Sequence, residues 1–142
     1  MEIKQYTDEI KHEKTWTLTL EEPKKDHIQR SFNTIELKVY YTLGGMNYFT
    51  GTQSSRGYVV SITPCNIKEE NGWTSRSMML GAGAKALVVP TQRKGKKAFM
   101  QALLTIDPVA EEILHKVADA DVSGESFQTE SIYQEVLAPV MA

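Results

Sequence analysis

Cysteine is almost absent from this sequence. The single thiol, Cys65, excludes an intramolecular disulfide and any cysteine-based metal cluster, which fits a reducing compartment. The three histidines, His12, His27 and His115, have no metal-type spacing, and neither His-x-x-x-His nor Cys-x-x-Cys occurs. No metal and no cofactor is expected. No apolar run approaches the roughly 20 residues that a membrane helix needs, and the charged amino terminus, MEIKQYTDEIKHEK, lacks the apolar segment of a secretory signal. The expected location is cytoplasmic.

Catalytic signatures are missing too. Cys65 follows Pro64 at the end of an apolar strand and reads as a small buried residue, not an activated thiol. Glu69 with Glu70 and Glu111 with Glu112 are adjacent in sequence, whereas acid–base carboxylates usually converge from separate elements. Gly81-Ala82-Gly83-Ala84-Lys85 lacks the spacing and the Lys-Ser or Lys-Thr pair of a phosphate-cradling Walker loop, and a strand follows it where that motif needs a helix. The chain is therefore not expected to be an enzyme.

What is present is the composition of one globular domain, with 41% hydrophobic and 24% charged residues over 142 positions. The formal net charge of -2 hides a polarity along the chain. Residues 66–106 carry seven basic residues against two acidic ones, whereas from Asp107 onward eight acidic residues face one basic residue, Lys116. That asymmetry predicts a basic contact surface and an acidic carboxyl-terminal region.

The most heavily patterned stretch is Tyr40 to Pro64, a strand, a wide glycine-rich turn and a second strand. Gly44, Gly45, Gly51 and Gly57 reach backbone conformations that bend the chain tightly. Before it, Thr15 to Leu20 alternates strictly, with Trp16, Leu18 and Leu20 on one face, and Ile35 to Leu43 alternates again. A polar turn is expected over Glu21 to Asp26, around Pro23. After the central stretch, Asn71-Gly72 marks a turn into a strand from Trp73 to Leu80, and Lys85 to Pro90 reads as a short strand. Residues 1–14 are polar and poorly periodic and read as a weakly ordered arm. Residues 15–142 then form a single α+β domain, an antiparallel β-meander of about five strands over 15–90 followed by two or three helices over 94–138. The first helix is expected from about Lys94 to Leu104. Asp107-Pro108 is expected to cap a second, with Val109, Ile113 and Val117 on its apolar stripe, and a third should run from about Thr129 to Ala138 with Ile132, Val136 and Leu137 inward.

Two groups of residues suggest a ligand. Tyr48 and Phe49 sit together in a connection that has little need of aromatics unless one of them faces outward, and Tyr58 follows close by. Arg93, Lys94, Lys96 and Lys97 place four cations in five residues at the expected start of a helix, where the macrodipole ordinarily favours acids. Cations beside free backbone N–H groups suit an anion such as phosphate. Arg56 offers a planar fork to the same kind of ligand. A solvated basic turn and aromatics that pin the loop are the competing readings.

The residues Gly44-Gly45, Asn47-Tyr48-Phe49-Thr50-Gly51, Arg56-Gly57-Tyr58 and, less closely, Arg93-Lys94 with Lys97-Ala98 resemble an uncharacterised group of small proteins of bacterial phages and conjugative elements. The resemblance covers about the middle third of the chain. At fold level the chain also resembles the single-strand-binding proteins of the PC4 type, in which an antiparallel meander is followed by a helix and dimerises. Its acidic composition and additional helices depart from that pattern. Together these readings predict a phage or mobile-element protein, acting in the cytoplasm of a bacterial host cell, that binds a nucleotide or single-stranded nucleic acid. Tyr48, Phe49 and Tyr58 would stack, and Arg56, Arg93, Lys94, Lys96 and Lys97 would hold phosphate. A homodimer is expected, through a sheet edge or the first long helix. The alternative is an anti-defence inhibitor whose acidic helices mimic nucleic acid and occupy a host protein.

Overall fold

Alternation of apolar and polar residues builds an antiparallel sheet, and a helical layer closes one of its faces. The computed structural model describes residues 2–26, 29–47, 52–54, 56–78, 83–120 and 126–140. The strands are β1 (Glu2–Asp8), β2 (Glu13–Lys25), β3 (Ser31–Thr42), β4 (Gly45–Asn47), β5 (Thr52–Ser54), β6 (Gly57–Glu70), β7 (Trp73–Met78) and β8 (Ala84–Pro90). The helices are α1 (Lys96–Ile106), α2 (Ala110–Asp119) and α3 (Ser126–Leu137), with 3-10 turns at Asp107–Val109 and Ala138–Val140. This is the expected α+β architecture of an antiparallel meander followed by helices.

The order across the sheet is β1-β2-β3-β6, after which β7 and β8 pair with successive halves of β6 along the same edge. β3 and β6 run antiparallel from Thr42↔Gly57 to Thr34↔Cys65, so the central stretch is the long hairpin its pattern suggested. Between those strands β4 and β5 pair with each other and make a separate two-stranded ribbon.

Register decides which side chains meet. Trp16 and Leu18 of β2 lie opposite Leu37 and Ile35 of β3, and Leu37 and Val39 lie opposite Ile62 and Val60 of β6. All seven are essentially sealed from solvent, and each such side chain contributes about 1.5–3 kcal/mol through the apolar surface it removes from water. The helices complete this core. Phe99, Ala102, Leu103 and Ile106 of α1 and Ala110, Ile113, Leu114, Val117 and Ala118 of α2 recur at helical spacing and are buried, as are Tyr133 and Leu137 of α3.

Four expectations need correction. Residues 2–8 are not a loose arm: β1 pairs with β2 from Glu2↔Thr19 to Asp8↔Glu13. Its residues are mostly exposed, because an edge strand is held by backbone bonds to its neighbour and needs little apolar pattern. Glu21 to Lys25 continue β2 instead of turning. Pairing with β3 skips from Thr19 to Lys24, and Pro23 sits within this bulge, where no ladder N–H is required. The turn comes later, where the Asp26 carboxylate accepts bonds from the backbone N–H and Nε of Arg30, both at 2.8 Å. Asp107 does not cap α2. Its backbone is helical, so α1 runs through a 3-10 turn carrying Pro108 into α2, and its carboxylate accepts from Lys14 Nζ at 2.6 Å. The α1 start lies at Lys96, two residues later than its Lys-rich approach suggested.

Candidate anion-binding site

Three connections gather at one end of the sheet. The pairings Asp8↔Glu13, Lys14↔Val39, Thr42↔Gly57 and Gly57↔Pro90 place the β1–β2 turn, the β3–β6 connection and the β8–α1 loop side by side. Among the described residues, the exposed cations at this end include Lys11, Arg56, Arg93, Lys94, Lys96 and Lys97. Arg56 is thus brought beside the basic loop, since its carbonyl accepts the Thr91 N–H at 3.2 Å.

The β8–α1 loop is held from below by two tyrosines that face each other across β3 and β6. Tyr41 donates its hydroxyl to the Gln92 carbonyl at 2.9 Å, and Tyr58 donates to the Gly95 carbonyl at 3.3 Å. The rings meet edge to face at 5.6 Å, and Tyr58 also packs against Phe99 at 5.8 Å. Tyr58 is therefore fully buried, and burial lifts its phenol above its ordinary pKa. It presents no face to a ligand and positions the loop instead. Its place in β6, in phase with Val60 and Ile62, carried that signal in the sequence.

Gly95 occupies the N-cap of α1 without a side-chain cap, and the first turn holds no acid. Lys96 and Lys97 stand on that turn, with Arg93 and Lys94 in the approach, and none of the four has an ion pair among the described residues. Uncapped N–H groups and unpaired cations reinforce one another as an attraction for negative charge. Beside them a cleft of about 200 Å³ is lined by Glu9, His12, Lys96, Phe99 and Met100. His12, held at a positive φ of 55°, lies against Phe99 with ring centroids 5.7 Å apart. The turn itself is tied by the Asp8 carboxylate, which accepts the N–H groups of Lys11 and Ile10 at 2.9 and 3.0 Å. The Lys11 N–H is the main reason that this carboxyl titrates below its usual range.

Arg56 is exposed and donates from Nε to the Leu43 carbonyl at 3.2 Å, which steadies the mouth of the β4–β5 ribbon. Tyr48 and Phe49 lie outside the described residues. A second aromatic, Tyr40, was not singled out from the sequence. Lys38 Nζ lies 5.4 Å and Lys85 Nζ 5.7 Å from its ring centre, on the sheet face opposite the helices. Strand alternation of Lys38 with Tyr40 was the available signal.

No family model matches this chain. No curated protein and no solved structure matches it either.

The site holds cations, backbone donors and rings, and the chain's one thiol lies elsewhere. Cys65 is fully buried in β6, and burial pushes its pKa up to about 11. Among the described residues no group of three or more His, Cys, Asp or Glu side chains could hold a metal ion. No helix among them is long and apolar enough to cross a membrane.

Proposed function

We propose that this protein is a non-enzymatic binder of an anionic, nucleotide-type ligand, either single-stranded nucleic acid or a small nucleotide captured from solution. The observation that carries this reading is the set of four exposed cations, Arg93, Lys94, Lys96 and Lys97, without ion-pair partners among the described residues, around the uncapped start of α1. Phosphate would sit against these cations and the first N–H groups of the helix. Arg56 approaches from the neighbouring loop. His12, partly exposed in the adjoining cleft and backed by the buried Phe99, supplies a ring for a base, and Tyr48 and Phe49 are the further aromatics proposed to stack. A nucleotide sequestered in this way suits a cytoplasmic phage or mobile-element protein that blunts a host defence signal.

The test is a titration with labelled oligo-dT and with a panel of linear and cyclic nucleotides, at low and moderate salt. Affinity should fall as salt rises. Joint substitution R93E and K94E should weaken binding by at least about tenfold, the expected scale for losing two phosphate contacts with charge reversal. Binding that survives the double reversal moves the site elsewhere, and no binding across the panel overturns the reading.

A second reading draws on the exposed Glu111, Glu112 and Asp119 of α2. In it, this acidic face mimics nucleic acid and occupies a host protein. Reversal of those three charges would then abolish partner binding, and reversal at Arg93 and Lys94 would not.

A further inference from the structure

The outer face of the α1–α2 segment is its own complement. The core-facing positions Phe99, Ala102, Leu103, Ile106, Ala110, Ile113, Leu114 and Val117 leave Lys97, Gln101, Leu104, Pro108, Glu111 and His115 along the opposite, exposed line. These outward residues are spaced alternately by four and three, the repeat of a helix–helix seam, carried on two helices joined by the 3-10 turn at Asp107–Val109. At the middle of the line stands Leu104, 76% exposed, with Met100 at 47% one turn before it. A leucine so uncovered contributes little apolar burial to the monomer.

The charges are arranged symmetrically about that leucine. Lys97 lies seven residues before it and Glu111 seven after; Lys96 lies eight before and Glu112 eight after. Met100 and Pro108 are likewise equidistant from it. Neither Lys97 nor Glu111 has an ion pair among the described residues, whereas Glu112 is shared with Lys116 at 3.1 Å.

We infer that a second copy of this chain docks here, antiparallel, with the two-fold axis passing at Leu104. The axis makes Leu104 meet its own copy, sets Met100 near Pro108, and sets Lys97 of each chain against Glu111 of the other. A two-fold interface requires a patch that is complementary to itself, and a basic–apolar–acidic stripe read backwards meets that condition. The opposite signs also reject a parallel arrangement, which would place lysines against lysines. This inference does not rest on ligand capture, although Lys97 belongs to both surfaces.

Sedimentation velocity from micromolar to submillimolar protein, at low salt, tests it. The wild-type chain should form a dimer that weakens as salt rises. L104K faces two cations at the axis and should raise the dimer dissociation constant by at least about tenfold. Leu104 is exposed, so the variant should keep its fold, checked by circular dichroism and thermal unfolding. K97E and E111K should each weaken the dimer, and the two together should restore it. A monomer at every concentration overturns the inference. A dimer indifferent to L104K overturns it as well and points to the β1 edge, and failure of the paired reversal to restore association overturns the antiparallel pairing. Nucleotide titration of L104K separates the two readings, since Leu104 lies outside the proposed ligand set.

Discussion

Cys65 is a small residue with a measurable consequence. Its thiol is buried where Thr34 opposes it across β3 and β6, and burial raises its pKa to about 11 from an ordinary thiol value of 9.0. Between these values the unfolded chain has lost a proton that the native chain retains. Stability contributed by the neutral thiol is therefore intact below about pH 9 and declines as pH rises toward 11. The expected slope is about 1.4 kcal/mol per pH unit at most. Urea unfolding of the wild type and of Cys65→Ala checks it, since their stability difference should narrow over that window. Tyr58 teaches the complementary lesson at the same scale. A tyrosine beside a glycine turn suggests display, but strand phase turned it inward, and its hydroxyl now sets the position of the Gly95 carbonyl. Chemistry-bearing residue types were legible; their direction depended on register.

At the scale of elements, two glycines separate conformational need from steric need. Gly72 follows Asn71 in the β6–β7 turn at φ 79°, with Asn71 itself at 50°, and the space around its absent side chain is open. Gly57, at φ 153°, begins β6 with the Val89 carbonyl oxygen only 2.3 Å from where a Cβ would lie. Gly72→Ala should cost about 1 kcal/mol, for backbone strain alone. Gly57→Ala should cost about 3 kcal/mol or more, because strain and a backbone clash add. It should also shift the Thr91–Arg56 contact that seats the basic loop. Chemical denaturation ranks the two, and a ranking in the opposite order would contradict the close approach of β8 to β6. The alternating strands β2 and β3 and the helical periodicity after Lys97 were readable from residue spacing. β1 was not, because its ordering comes from the open edge of β2, and the bulge around Pro23 was not, because an unpaired strand segment and a turn have the same composition.

At the scale of the whole molecule, the helical layer matters more than its polar surface suggests. α3 carries Tyr133 and Leu137, both fully buried, and Gln134 donates to the Lys85 carbonyl of β8 at 3.1 Å. Ending the chain at residue 120 would expose those two side chains and their sites on the core, a loss of about 4–6 kcal/mol. That approaches the entire stability of many domains. The truncated chain should therefore lose most of its cooperative thermal transition, as followed by circular dichroism. Retention of a sharp transition near the full-length midpoint would show that α3 is an appendage.

The amino-acid sequence by itself determined the class of this fold, because alternation at period two and recurrence at three to four residues are local properties that burial imposes on strands and helices. It also determined that opposite charges are segregated along the chain. Only the tertiary structure decided that Arg56, the β1–β2 turn and the cations of the β8–α1 loop share one end of the sheet, since long-range register, and not any local pattern, brings those segments together. The same holds for Leu104. Its exposure, and the charge symmetry around it, became a surface only when the opposite side of its helix was taken up by the core.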